Sequence, residues 1–120
     1  MSYDSNNVFA KILRGEIPCA KIYEDEHVLA FKDIRPQAKV HALVIPKGAY
    51  VSAQDFGEKA SDKEIAAVQR AISKIAKDLG VAESGYRLIA NSGGHGHQEV
   101  AHYHVHILGG QPIGKMVHLP

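Results

Sequence analysis

AHYHVHILGG, residues 101–110, sets His102, His104 and His106 at alternate positions, with Tyr103, Val105 and Ile107 between them. In an extended chain, successive side chains point to opposite faces. The pattern predicts a strand with three imidazoles on one side and apolar groups on the other. Working upstream, VHALVIP (40–46) also alternates and is rich in branched residues, a strand ended by Pro46. AKIYED (20–25) and HVLAFKD (27–33) read as two strands joined by a charged turn at Glu24 to Glu26, and GYRLIAN (85–91) as a further one. RPQAK (35–39) and SGGHGHQ (92–98) read as connections.

Two helices complete the pattern. Val8, Phe9, Ile12 and Leu13 have helical spacing and predict a short helix ending near Gly15, after which Ile17-Pro18 turns the chain. Ser61 and Glu64 fit a capping box. Ile65, Val68, Ile72, Ile75 and Leu79 form one apolar stripe, and Gly80 suits the C-terminal cap. The order helix, three strands, helix, two strands, with short links inside each strand run, favours antiparallel pairing and an α+β class. A five-stranded sheet has two edges, which invite pairing or need covering. A homodimer that joins sheets or helices suits that need.

The composition bounds the function. The 120 residues suit one domain, 1–120, whose polar start (1–6) and unpatterned end (111–120) are expected to be flexible or dimer-contacting tails. Hydrophobic residues make up 45% and charged residues 22%, as in a soluble globular protein. Fourteen basic against 13 acidic residues leave no basic footprint for a nucleic-acid partner. No stretch resembles a signal peptide or a membrane span, so no membrane partner is expected. The only cysteine, Cys19, cannot form an internal disulfide; this suits a reducing compartment, read as the cytoplasm.

Three uses of the histidine row remain open on the residues alone. Simple solvent exposure explains it poorly, because five of the eight histidines fall between 95 and 106 and three share one strand face. A metal site is the second use, since imidazole is a common ligand. The outer pair of histidines is about 13 Å apart along a strand at roughly 3.3 Å per residue, too far for one ion. Two of them plus a distant residue such as His41 could chelate. The third use is nucleophilic attack on phosphorus. An imidazole with an ordinary pKa near ~6.5 is largely unprotonated at neutral pH. Such a site needs a fixed tautomer, donors for the nonbridging oxygens and an acid for the leaving group. The Gly-rich turn GGHGHQEV, with Gln98 and the nearby Asn91, offers amide donors.

HxHxHxx with apolar x, here residues 102–108, is the signature of the histidine-triad superfamily. VFAKILRGEIP, EDEHVLAFKDIRPQA, HALVIPK, GYRLIAN and GHQEVAHYHVHILGG, in that order, together resemble its Hint branch, the histidine-triad nucleotide-binding phosphoramidases, over about residues 7–110. The resemblance implies a five-stranded antiparallel sheet with one long and one short helix, and a homodimer that joins two sheets into ten strands. It implies hydrolysis of the P–N bond of purine nucleoside 5′-phosphoramidates through a nucleotidyl-histidine intermediate, with no metal and no cofactor. The ligand expected in each protomer is a purine nucleoside monophosphate or phosphoramidate.

Carried over by motif, the resemblance makes His104 the nucleophile and places His106 by the phosphate and leaving group. His102 and His41 would hold and neutralise His104. Asp33 would accept the ribose hydroxyls. Val8, Phe9, Ile12, Phe31, Ile34 and Leu43 would form the purine slot. Asn91, His97, Gln98, Glu99 and the backbone near Val100 would face the phosphate and leaving group. Glu99 stands where animal members of the branch carry Ser, and His97 where Gly is common. The Fhit-type dinucleotide hydrolases are the alternative within the superfamily. The nucleotidylyltransferase branch has Gln at the position of His106, so the final histidine favours hydrolysis over transfer. Outside the superfamily, the alternative is a histidine-cluster metal-binding protein.

Overall fold

In a computed structural model, which describes residues 2–120, eight elements follow one another. They are α1 (Val8–Leu13), β1 (Lys21–Glu24), β2 (Val28–Lys32), β3 (Val40–Pro46), α2 (Ala53–Lys59), α3 (Asp62–Asp78), β4 (Arg87–Ile89) and β5 (Val105–Gly109). The strands form one antiparallel sheet in the order β1-β2-β3-β5-β4, so β5 enters between β3 and the edge strand β4.

Alternation along the central strands gives the sheet two different faces. Val28, Ala30, Ala42, Val44, Val105 and Ile107 point to one side and pack on Val68, Ala71, Ile72 and Ile75 of α3 and Phe56 of α2. Leu29, Phe31, Leu43 and Ile45 point to the other, where the short α1 covers them with Phe9. One face is thus closed by a 17-residue helix, and the other is only half covered by six residues. The open remainder of that second face holds the candidate site.

Local chemistry explains the element ends. Asp25 accepts from the amides of His27 (2.8 Å) and Val28 (2.9 Å), which holds the β1–β2 turn. Ser61 Oγ accepts from the Glu64 amide (3.1 Å) while Glu64 Oε1 accepts from the Ser61 amide (3.0 Å), the reciprocal box that starts α3. Gly80, at φ +76°, takes the left-handed position after the helix.

Three expectations are corrected. There are three helices, not two. α2 has a single buried apolar residue, Phe56, so it offers no period to read. The last strand starts at Val105 rather than near residue 100, so His102 and His104 precede it. Ile65 of the apolar stripe is 39% exposed, and Ala71 and Ala76 complete the buried face of α3 instead. The polar start is anchored from residue 3 onward. Tyr3 reaches His102, Asp4 Oδ1 accepts from the Asn6 amide (2.9 Å), and Asn7 Oδ1 accepts from the Ala10 amide (2.9 Å) to cap α1. Residue 1 of the expected tail lies outside the described residues. At the other end, Gln111 accepts from the Lys39 amide (2.8 Å) and Gly114 from Arg87 (2.6 Å), and residues 115–120 are exposed.

Candidate active site

A cavity of about 590 Å³ opens on the α1 side of the sheet, within the usual size of small-molecule sites. Register puts the histidines there: His106 on β5 faces Leu43 on β3, and His41 faces Leu108. Both strands turn these side chains away from the face packed on α3.

The protonation pattern follows from the partners. His104, buried, donates from Nδ1 to the His102 carbonyl at 2.7 Å. A carbonyl can only accept, so the ring proton sits on Nδ1 and the Nε2 lone pair is left free. The ring of Phe9 meets the His104 ring edge-on at 4.9 Å. Burial lowers the His104 pKa, against opposing effects of the His102 carbonyl, Asp33 and Glu99. Its imidazole is therefore uncharged at neutral pH, with its one proton on Nδ1.

His41, also buried, accepts the Gln37 amide on Nδ1 at 3.1 Å. Its ring proton is therefore on Nε2, which lies 2.9 Å from His106 Nδ1 and 3.4 Å from Asp33 Oδ2. His106 Nδ1 receives that proton's hydrogen bond, so in the uncharged ring His106 carries its own proton on Nε2. Burial, then His104 and His41, push the His106 pKa down to about 4. The two adjacent rings, 5.1 Å apart between centroids, have opposite roles: His104 offers a lone pair and His106 offers an N–H.

His102 is 1% exposed and does not line the cavity. Its Nε2 donates to the Pro46 carbonyl (2.8 Å) and its Nδ1 accepts from the Tyr3 hydroxyl (2.6 Å). Burial lowers its pKa. It is the His102 main chain that touches the His104 ring.

Among the other expected residues, Val8, Phe9, Ile12, Phe31 and Leu43 form an apolar pocket beside Asp33. Ile34 lines only the rim and is 90% exposed. Asp33 is anchored through Oδ1 to the Arg35 amide at 2.8 Å. Asn91, His97, Glu99 and Val100 also line the cavity, and Val100 packs on the cluster of Phe9, Phe31 and Leu43. His97 has a positive φ of 59° and its Nε2 is 3.2 Å from Glu99 Oε1, with both side chains exposed. Gln98 is turned away. Its amide donates to the carbonyls of Val51 (2.6 Å) and Val100 (2.9 Å) and accepts from the Gly93 amide (3.0 Å), so it builds the loop and has no donor left for a phosphate. Close packing within this loop needs Gly96, where a Cβ would lie 2.6 Å from the Ser92 carbonyl oxygen.

Ile17, Pro18 and Cys19 also line the apolar pocket. Sequence reasoning passed over them; the only signal was their place directly after α1.

Asp33, His41 and His106 bring three potential metal-ligand atoms within 4.8 Å of one another. Their bonding fits a proton-ordered relay better than a coordination shell. His41 Nδ1 is occupied by an amide N–H, which leaves the ring proton on the Nε2 that would have to bind the ion. The 2.9 Å between that atom and His106 Nδ1 is shorter than the about 3.4 Å expected between two tetrahedral zinc ligands at ~2.0–2.1 Å.

An antiparallel α+β sheet that presents one imidazole with a free lone pair and a neighbour with a free N–H over an apolar pocket defines a histidine-triad protein. Residues 14–113 match the HIT domain, and the chain belongs to the HIT family, in its Hint-like branch. It is 44% identical over 110 residues to the purine nucleoside phosphoramidase of Escherichia coli K12, covering 92% of each chain. An uncharacterised HIT-like protein of Azospirillum brasilense is 54% identical over 116 residues, 97% of this chain and 95% of that one. Among solved structures, a HIT family hydrolase from Clostridium thermocellum superposes with a TM-score of 0.87 at 43% identity, covering 95% of this chain and 99% of that one.

Proposed function

We propose that this protein is a nucleotide-binding hydrolase that cleaves the P–N bond of purine nucleoside 5′-phosphoramidates through a nucleotidyl-His104 intermediate. The observation that carries this reading is the free Nε2 of His104, held by the His102 carbonyl and facing a nucleotide-sized cavity. Nε2 attacks phosphorus as the P–N bond breaks. The electron pair goes to the departing nitrogen, which takes a proton from solvent and leaves as the amine, while His106 Nε2–H donates a hydrogen bond to a nonbridging phosphoryl oxygen. The positive charge on the new nucleotidyl-imidazole is met by the His102 carbonyl. Water then attacks phosphorus, returns a proton to solvent and releases nucleoside monophosphate and free His104. The base sits among Phe9, Phe31 and Leu43, and Asp33 accepts from the ribose hydroxyls. The reading needs no metal.

The reading includes a homodimer and a cytoplasmic setting. β4 is an edge strand with Leu88 41% exposed, and Ile65 of α3, 39% exposed, flanks the same apolar groove. A second copy laid along this edge would cover both. Cys19, unpaired, suits reducing conditions. Among the described residues, no helix is long and apolar enough to cross a membrane.

The test is to strip the protein of metal, supply adenosine 5′-phosphoramidate and follow AMP, with a dinucleoside polyphosphate as competing substrate. Release of AMP from the phosphoramidate without added metal is the expected outcome. Turnover that returns only with zinc supports the metal reading instead. Preference for the dinucleotide supports the alternative hydrolase.

A further inference from the structure

Tyr3 belongs to a stretch whose composition suggests a frayed end, yet its ring is half-buried behind the histidine site. The Tyr3 and His102 rings meet edge-on at 5.5 Å between centroids, and the hydroxyl lies 2.6 Å from His102 Nδ1. We propose that Tyr3 is a positioning residue: by donating to His102 Nδ1 it locks the His102 ring, and through the His102 carbonyl it holds His104 in the Nδ1–H tautomer that leaves the attacking nitrogen free.

The direction of each bond is forced. The Pro46 carbonyl can only accept, so it requires the proton of His102 on Nε2. Nδ1 is then a bare acceptor, 1% exposed as a residue and out of reach of bulk water. Tyr3 fills it. Among the described residues, no buried side-chain nitrogen or oxygen lacks a partner. Removing the hydroxyl would create one at the atom cluster next to the nucleophile, where an unmatched polar group is costly.

His102 precedes β5, so regular strand pairing does not hold it. Its position depends on its own ring, clamped between Pro46 and Tyr3, and on the neighbouring bond from the Tyr103 amide to the Tyr50 carbonyl at 2.8 Å. A ring freed at one end lets the carbonyl wander. A His104 ring without a fixed carbonyl partner samples both tautomers, and one of them places a proton on the nitrogen that must attack. The role in turnover rests on the phosphoramidase reading; the role in fixing tautomers does not.

The experiment compares native protein and Tyr3→Phe, labelled with 15N in the histidine rings, at pH 7.5. In native protein, His102 should show a fixed Nε2–H tautomer and His104 a fixed Nδ1–H tautomer. In Tyr3→Phe, His102 should keep the Nε2–H tautomer that the Pro46 carbonyl fixes, while the His104 ring nitrogens should average. With adenosine 5′-phosphoramidate, kcat should fall roughly three- to tenfold, the worth of about one net hydrogen bond, while KM stays within about twofold. Either change without the other overturns the proposal, as does an averaged His102 tautomer in native protein, a measurement that does not depend on the variant folding. If native protein does not turn over the phosphoramidate, the functional reading fails, and the tautomer spectra alone decide the role of Tyr3.

Discussion

At the scale of single residues, the site gives two neighbouring imidazoles opposite free positions, a lone pair on His104 and an N–H on His106. His104→Asn keeps a side chain of similar polarity but removes the nucleophile of the proposed mechanism. It should lower kcat by several powers of ten, as loss of a nucleophile that acts with its partners typically does, while AMP affinity stays near native. Rapid quenching with radiolabelled substrate checks it: label should remain on native protein and be missing from the variant, and full turnover by the variant would end the assignment. Glu99, exposed beside His97 at the cavity, puts a negative charge next to the proposed phosphate position, which suits a cationic leaving group. Glu99→Ser should reduce the kcat/KM preference for a lysyl over an uncharged amine, and added salt should shrink the native preference, because exposed charges are screened. An equal ratio in native and variant protein would remove Glu99 from leaving-group recognition.

At the scale of elements, α3 carries the load that frees α1 to be short. Ile75 is fully buried and packs on the sheet face opposite the site. Ile75→Ala should destabilise the fold by about 2–5 kcal/mol, the range for truncating a buried isoleucine. The urea midpoint checks this, and AMP affinity measured well below that midpoint should be close to native, since the cavity lies on the other face. The long helix was legible because capping box, stripe and terminal glycine all agree. α2 was not, because one buried phenylalanine in seven residues has no period. β5 was read too long because alternation continues through His102 and Tyr103, although pairing with β3 begins only at Val105.

At the scale of the whole molecule, burial of the histidines links acidity to stability. The folded pKa of His106 is about 4, and those of His102 and His104 are also lowered, against an unfolded value near 6.5. Between these values the unfolded chain binds more protons than the folded one, so stability should be level above pH ~6.5 and fall as pH drops from there towards ~4. For His106, partly exposed, the loss at pH 5 should be about 1 kcal/mol. A thermal midpoint unchanged between pH 7.5 and 5 would contradict it. The exposed edge strand β4 and the groove beside α3 lead us to expect a dimer. Light scattering at micromolar concentration should give about 26 kDa, twice the 13.0 kDa chain, and a monomer mass alone would count against the joined sheet.

The identity of the strands, the long helix and the family itself were readable in the chain, because periodicity, caps and an ordered set of motifs are local properties of a sequence. The arrangement of His41 and His106 was open until β3 paired with β5, since only register sets residues 65 apart within 2.9 Å. The same holds for the roles within the row. Equal spacing treats His102, His104 and His106 alike. Tertiary structure separates them by what each ring nitrogen meets: the Pro46 carbonyl and the Tyr3 hydroxyl for His102, the His102 carbonyl for His104 and the His41 ring for His106. The sequence by itself determined that imidazoles would line the site. Which of them holds a proton, and on which nitrogen, depended on partners brought together from distant parts of the chain, because a hydrogen bond is decided by the atom at the other end.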